Sequence, residues 1–594
     1  MAIDPRHEYT TRLALRRAAY ARLDRSERLL AYARGAAFAA GIAVLWLSAG
    51  NGMISNWWLL APLFVFAALV LRHDRVIRSK ALVGRAVKFY ERGLIRIDDG
   101  WPAGEEPFVP EIDPAHAYGA DLDLFGRESL YERLSAARTS AGRRTLGDWL
   151  LQPAVPEVIR ARQAAVAELR PLMDLREDLA VLGPDVPSGA GSPMLRWAAQ
   201  KASPIGAAAR AAALVLVAAA LLLLYGWLVW KWNANLFAAV LFVEWLFARR
   251  YRPLAKAVGR DLDRAGEELA LLSPVLVRLE RESFSAPLLA SLRGRLEKGG
   301  VVASRQIARI RKLIEMLDSM RNPYFAPLGA LLLWRTQITF ELEAWRAQNG
   351  PSVAAWLDAV AEMEALSSFA QSSFDHPEDP FPEIAEEGPS FDGEDIGHPL
   401  LPRKSCVRNT LKLNPEMRLL VVSGSNMSGK STLLRTIGVN TVLALAGATV
   451  CASRLRVSPL AVGVSLHVVD SLQSGASHFY AEIKRLRRLM DVAAGPLPLL
   501  FLLDEILHGT NSADRLTGAE AVVRGYLERG AMGLITTHDL ALARMADSLA
   551  PRAANVHFED HMEDGRIAFD YRLHSGVIRK SNAIALMRAV GLEV

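Results

Sequence analysis

The chain has 594 residues, 51% of them hydrophobic, and a formal net charge of +6. That length has room for three or four structural units, and the apolar excess is concentrated in a few segments. Its two cysteines, Cys406 and Cys451, read as unpaired packing residues of a reducing compartment, and no His/Cys cluster suggests structural zinc.

The apolar excess comes as two pairs of runs. Residues 36–49 are apolar except Ser48, residues 57–71 are apolar throughout, and residues 51–56 make a short turn between them. Residues 211–230 form a full-length spanning signal; 231–235 turn, and 236–248 return, interrupted by Glu244. Trp57, Trp58, Trp227, Trp230 and Trp232 cluster near the turns, as an interfacial belt does. Arg12, Arg16, Arg17, Arg22, Arg25, Arg28 and Arg34 precede the first pair; Arg72, Arg75, Arg78 and Lys80 follow it. Lys201 and Arg210 precede the second pair; Arg249, Arg250, Arg252, Lys256 and Arg260 follow it, whereas the turns hold only Lys231. The positive-inside rule then places both termini and all large domains in the cytoplasm, with a multi-pass anchor in the cytoplasmic (inner) membrane. The first pair lies too far from Met1, behind too many arginines, for a cleaved signal. The alternative is a pair of apolar hairpins inside a soluble core. Glu244 is either a functional intramembrane acid or a group turned to its partner helix.

Residues 255–346 are mostly helical by period, with breaks near Ser283-Phe284, Gly299-Gly300 and Asn322-Pro323. Arg305, Arg309 and Lys312 share one helical face, suited to a phosphate backbone, to anionic lipid or simply to water. Residues 375–389 are acidic and proline-rich and read as a linker. Much of the net charge is juxtamembrane, so charge is weak evidence for nucleic acid.

The most specific segment is residues 423–432, SGSNMSGKST, after the apolar run 419–422. Strand, glycine-rich turn and helix start fit G-x-x-x-x-G-K-[ST]. Gly424 and Gly429 let the backbone N–H groups of Ser425, Asn426, Met427 and Ser428 wrap a polyphosphate. Lys430 reaches the β/γ-phosphates, Ser431 can ligate Mg²⁺, and the helix through Thr432 points its positive end at the anion. Downstream, the buried-strand pattern 498–503 ends in Asp504-Glu505: Asp504 for Mg²⁺, Glu505 to orient and activate water. A third strand, 533–537, ends at His538, which is either a γ-phosphate sensor or an ordinary loop histidine. Between them Ser474, Gly475 and Ser477 form a Ser-Gly-x-Ser turn opening a helix that carries Glu482, Lys484, Arg485, Arg487 and Arg488. One chain already has its phosphate loop, so this second anion site suggests a neighbour's ATP and a head-to-head dimer; an ordinary N-capped helix is the alternative.

These motifs, with Asn426-Met427 inside the loop and Gly509-Thr510-Asn511-Ser512 after the acidic pair, resemble the ATPase domain of the MutS family, DNA mismatch-repair ATPases of the ABC type. His398-Pro399 resembles the motif that opens that domain, and residues 580–592 its C-terminal dimerising helices. Residues 121–126, Thr139, 142–144, Trp149-Leu150, Arg162-Gln163 and Val166 more weakly resemble the family's core and the start of its levers, with 322–346 returning through it. Ser428 stands where many members have Gly, Ser471 where Asp is common, and Asn511 where Ser is frequent. The N-terminal mismatch-reading and connector domains are missing from the pattern. Phe89-Tyr90-Glu91 imitates the family's base-wedging Phe-x-Glu without a domain around it.

The expected architecture is multidomain: transmembrane helical hairpins, an all-α core/lever domain, and a C-terminal α/β P-loop (ABC-type) ATPase domain. The expected boundaries are 1–80 with a first hairpin near 35–72, a core at 81–204, a second hairpin at 205–250, and the returning core/lever at 251–374. A linker at 375–396 and the ATPase domain at 397–594 complete the chain. The resemblance implies a homodimer through the ATPase domain, ATP and Mg²⁺ as cofactors, and DNA as partner. A half-transporter of the ABC type would need about six spanning helices around a path, against four here. A membrane switch acting on protein partners stays open.

Overall fold

A computed structural model describes residues 4–50, 55–101, 109–110, 112–113, 115–182, 193–298, 301–425, 427–466, 478–508, 512–563 and 566–577. In chain order the helices are α1 (Pro5–Leu45), α2 (Leu60–Ile97), α3 (Leu130–Leu134), α4 (Ser140–Leu151), α5 (Pro156–Leu169), α6 (Met173–Leu182) and α7 (Pro193–Ala199). Then come α8 (Ala207–Trp230), α9 (Ala234–Glu280) and α10 (Pro287–Arg295), the two-residue strands β1 (Glu297–Lys298) and β2 (Val301–Val302), α11 (Ala303–Asp318), α12 (Ala326–Leu331) and α13 (Trp334–Asp375). The chain divides into two compact units: Met1–Ser135 with Gly147–Val181 and Ser368–Val594, and Ala136–Leu146 with Leu182–Ser367.

In the first unit the strands are β3 (Glu383–Ile384), β4 (Phe391–Ile396), β5 (Asn409–Leu413), β6 (Leu419–Ser423), β7 (Arg454–Val457), β8 (Ala461–Ser465), β9 (Leu499–Leu503), β10 (Met532–Thr537), β11 (Ala553–Glu563) and β12 (Arg566–Ser575). Six of them form a sheet in the order β12-β11-β6-β10-β9-β8, parallel except for β12. Every residue of β6, β9 and β10 is buried, which is why these strands read as unbroken apolar runs. Helices α14 (Lys430–Ala446), α15 (His478–Ala493) and α16 (Ser512–Glu528) accompany them. A second sheet, β3-β7-β4-β5, contains residues expected to be linker. The acidity there is cross-strand pairing: Glu394 meets Arg454 at 3.1 Å and Glu383 meets Arg456 at 3.0 Å, while Phe391 and Ile396 point into the core. Strands β3 and β4 thus fall within the expected 375–396 linker.

The first apolar hairpin belongs to this unit. Asp4 caps α1 by accepting the Arg6 N–H, and Pro5 occupies its first turn. Its foot is a buried cluster of Tyr9, Leu13, Phe89, Tyr90, Met173 and Phe374. Tyr9 donates to Asp375 Oδ1 at 2.5 Å and Arg96 donates to Asp375 Oδ2 at 2.8 Å. Phe89 and Tyr90 are thus core residues, and Glu91 pairs with Arg17 at 2.7 Å, so this triplet is not a base wedge. The boundary expected at 80/81 falls inside α2, which has no breaker there. Segment 118–131, expected in the core, packs on the ATPase domain: Leu122 fills the space left by Gly438, Asp121 pairs with Arg485, and Asp123 pairs with Arg435 at 2.6 Å.

The second unit is helical apart from β1 and β2. In its hairpin, α8 ends at Lys231 in the left-handed region and Asn233 caps α9. Helix α9 continues through the expected 250/251 boundary, with Pro253 inside it. Leu333 and Phe340 pack with Ala213, Leu216, Phe247 and Tyr251 at the foot of this hairpin. Glu364 accepts from Thr139 Oγ1 at 2.6 Å, and a Cβ at Gly142 would meet its carboxylate at 2.0 Å, which explains a glycine in α4. By length and composition alone, Pro5–Ser48 and Ala207–Trp230 are long and apolar enough to cross a membrane.

Candidate nucleotide site

The site lies at the C-terminal ends of β6, β9 and β10, where parallel strands of an open α/β sheet present their loops. Residues 424–429 leave β6 and enter α14 at Lys430. Gly429 adopts φ +102°, and a side chain there would also crowd Tyr571 at 3.1 Å. A Cβ at Gly424 would lie 2.7 Å from Ser428 Oγ. Both glycines are therefore required by the turn. Met427 is left-handed and 85% exposed at its tip. Asn426 lies outside the described residues, as do Ser474, Gly475, Ser477, residues 509–511 and the expected dimerising helices at 580–592.

Lys430 is buried, and its Nζ donates to Gly424 O at 2.8 Å and Ser425 O at 2.9 Å. Burial pushes its pKa down, opposed by Glu505 and Asp504. Ser431 Oγ donates to Asp504 Oδ2 at 2.5 Å, bringing the two expected cation ligands together. Among the described residues Ser425 Oγ and Ser428 Oγ are buried without a hydrogen-bond partner, although buried hydroxyls normally have one. A lysine held on loop carbonyls, two unsatisfied hydroxyls and an adjoining Ser/Asp pair fit a polyphosphate with its divalent cation.

Glu505 follows β9 with φ +47°, a left-handed conformation that the Cβ of a side chain disfavours. Its Oε1 stands 3.1 Å from His538 Nδ1 and 4.0 Å from Lys430 Nζ. Three neighbours without a role in the sequence reading complete the constellation. Thr536 Oγ1 donates to Asp504 Oδ1 and accepts the Glu505 N–H at 3.1 Å. His508 Nε2 stands 3.9 Å from Glu505 Oε2. Glu482 Oε1 accepts the Leu507 N–H at 2.6 Å, holding the turn after the acidic pair. Strand register places Thr536: Ile535 pairs with Leu503, so Thr536 in β10 stands level with Asp504, the residue that follows β9.

Beside the loop, a cavity of about 290 Å³ is lined by His398, Leu433, Phe558, Tyr571, Gly429 and Thr432, among others. Burial, with Arg435 nearby, lowers the His398 pKa to about 4, so the ring is neutral at pH 7. Asn440 ties this segment to α14, donating to Gly397 O at 3.0 Å and accepting the Cys451 N–H at 2.8 Å.

The family model "MutS domain V" matches residues 420–593. Among curated proteins, the chain is similar to endonuclease MutS2 of Thermus thermophilus, with 32% identity over 203 residues, 33% of this chain and 25% of that one. It is also similar to DNA mismatch repair protein MutS 2 of Halobacterium salinarum, with 34% identity over 239 residues, 39% of this chain and 27% of the relative. DNA mismatch repair protein MutS of Geobacillus kaustophilus matches with 30% identity over 255 residues, 41% of this chain and 27% of the relative. The chain thus spans about a quarter of the length of the curated relatives it matches. Domain V and these relatives together support the MutS family, on the strength of the C-terminal third of the chain.

Proposed function

We propose that the protein is a membrane-anchored, MutS-like ATPase that binds and hydrolyses ATP at a dimer interface and couples the cycle to mismatched or branched DNA in repair or recombination. The observation that carries the ATPase reading is the meeting of Lys430, Ser431, Asp504 and Glu505 around one loop. ATP with Mg²⁺ supplies a γ-phosphoryl group whose transfer to water the surrounding residues assist. Backbone N–H groups of residues 424–429 and Lys430 Nζ would bind the phosphates, Ser431 and Asp504 would hold the cation, and the cavity by His398 and Tyr571 would take the base. Thr536 orients the Asp504 carboxylate. Glu505 Oε2 would accept a proton from the attacking water, with His538 on its other oxygen. Ser474, Gly475 and Ser477 would close the partner's site.

The relatives are named for mismatch repair and endonuclease activity, which supports DNA as partner. Membrane anchoring is supported by the water-exposed apolar faces of the hairpins: Trp57 is 78% exposed, Phe64 78%, Leu222 57% and Leu228 63%. Each hairpin would tether its own unit at the inner face of a cytoplasmic membrane, following the basic flanks. Burial of Phe89 and Tyr90 removes the base-wedging signal and favours, as a second reading, a membrane-tethered switch acting on protein partners.

ATP turnover by the full chain, with and without branched, mismatched and plain duplex DNA at low salt, separates these readings. Stimulation or binding by any DNA supports the first; none leaves the switch. Glu505→Gln is expected to retain ATP binding and lower turnover by about a hundredfold or more. Undiminished turnover removes the role given to Glu505.

A further inference from the structure

We propose that a basic cavity at the foot of the second hairpin binds the phosphate of an anionic phospholipid headgroup; this rests on the membrane reading above. The cavity, about 570 Å³, lies between α9, the end of α11 and the start of α13. Lys256 and Arg260 come from α9, Arg321 from the turn after α11, and Arg335 from α13; Asp318 is the acid among its lining. Asp318 is engaged by Arg321 at 3.3 Å. Among the described residues no carboxylate pairs with Lys256, Arg260 or Arg335. Arg335 lies across α9 where Gly259 has no side chain: a Cβ there would sit 3.9 Å from Arg335 Nη2. With Arg321 matched by Asp318, the charges of Lys256, Arg260 and Arg335 still converge on one hollow and repel each other unless a further anion sits among them.

Position selects the anion. The apolar stretch of α9 ends at Ala248, and eight residues of helix put Lys256 about 12 Å further along the axis. The interfacial layer beyond the hydrocarbon is roughly 6 Å thick on each side, and lysine and arginine stems reach back toward it. Leu333, two residues before Arg335, packs with Ala213, Phe247 and Tyr251 of the hairpin, so the cavity wall is continuous with the hairpin foot. The loop after Arg321 carries Tyr324, 94% exposed, and α12, which follows it, carries Leu328, 49% exposed. An amphipathic tyrosine beside an exposed leucine suits the lipid–water boundary. A DNA backbone explains the cations but not the apolar rim.

The test uses the full chain in nanodiscs of mixed phosphatidylcholine and phosphatidylglycerol, with retained lipid read by native mass spectrometry. The wild type is expected to retain phosphatidylglycerol preferentially. Arg260→Gln with Arg335→Gln is expected to lower that retention on the order of tenfold or more. Arg305→Gln with Lys312→Gln removes the same charge from α11 outside the cavity and is expected to leave it unchanged. Equal retention by both double variants and the wild type, or equal loss in both variants, overturns the site. Displacement of the lipid by inorganic phosphate at equal concentration reassigns it to a free anion, and a fall in duplex affinity with lipid retention intact reassigns it to nucleic acid; either overturns the proposal. Alkaline carbonate extraction of cell membranes separates the two layers of inference. Wild-type chain in the pellet without lipid preference sinks the headgroup site alone, whereas chain in the supernatant sinks the membrane reading and the site with it.

Discussion

Strand β9 and residues 211–230 of helix α8 are both unbroken apolar runs, yet β9 is wholly buried and α8 shows Leu214, Val215, Leu222 and Leu228 at 57–66% exposure. Length and neighbours decide the difference. Five residues of β9 are covered on both sides by α14, α15 and the adjoining strands, whereas the twenty-odd residues of α8 lean on α9 along their length and on Leu333 and Phe340 at the foot. Hydropathy identifies a segment that must leave water; only the surroundings say whether protein or lipid receives it.

Exposed apolar helix gives way to folded protein at the foot of the first hairpin. Asp375 joins Tyr9 of α1 and Arg96 of α2 at the end of α13, and its side chain is only 1% exposed. Asp375→Ala leaves the buried Arg96 cation uncompensated, so a loss of about 3–5 kcal/mol is expected in denaturant unfolding of this unit. A loss below about 1 kcal/mol would show that the foot is not closed to water.

A charge placed within α8 meets lipid or water at very different cost. Leu222→Arg is expected to cost about 3 kcal/mol in membrane insertion if lipid surrounds it. In water an exposed substitution there costs under about 0.5 kcal/mol. A glycosylation-mapped insertion assay reads the difference directly.

The smallest effect belongs to the ATPase unit. His398 is held neutral with a pKa of about 4, against about 6.5 when unfolded. Between those values the unfolded chain binds the extra proton, so stability falls as pH is lowered from 6.5 toward 4 and is fully present above 6.5. At pH 5 the loss is about 2 kcal/mol. His398→Gln is expected to flatten that part of the stability profile; an unchanged slope would remove the assignment.

What was legible in the sequence was local. The phosphate loop carries its turn, glycines and lysine within ten residues, and Asp504-Glu505 is announced by the strand before it. Thr536, His508 and the Asp121–Arg485 pair were not legible, because each depends on which strand or segment lies alongside. The acidic stretch at 375–389 misled for a related reason: Asp379 faces Arg403, Glu383 faces Arg456 of β7 and Glu386 faces Arg160, and the run resembles a solvated linker until those partners are in place. Phe89 and Tyr90 show the converse, a motif match that packing turned into core.

Helix α2 runs without interruption from its apolar start to Ile97, beside α1, and ends on Asp98 and Asp99, which pair with Arg6 and Arg133. From Leu71 to Ile97 the rise is about 39 Å. Set in a bilayer, such a stalk would hold the ATPase domain at one height and let it diffuse only sideways. Two copies confined to a thin layer meet far more often than the same copies in a volume, so a weak pairing surface would suffice to assemble a two-chain site.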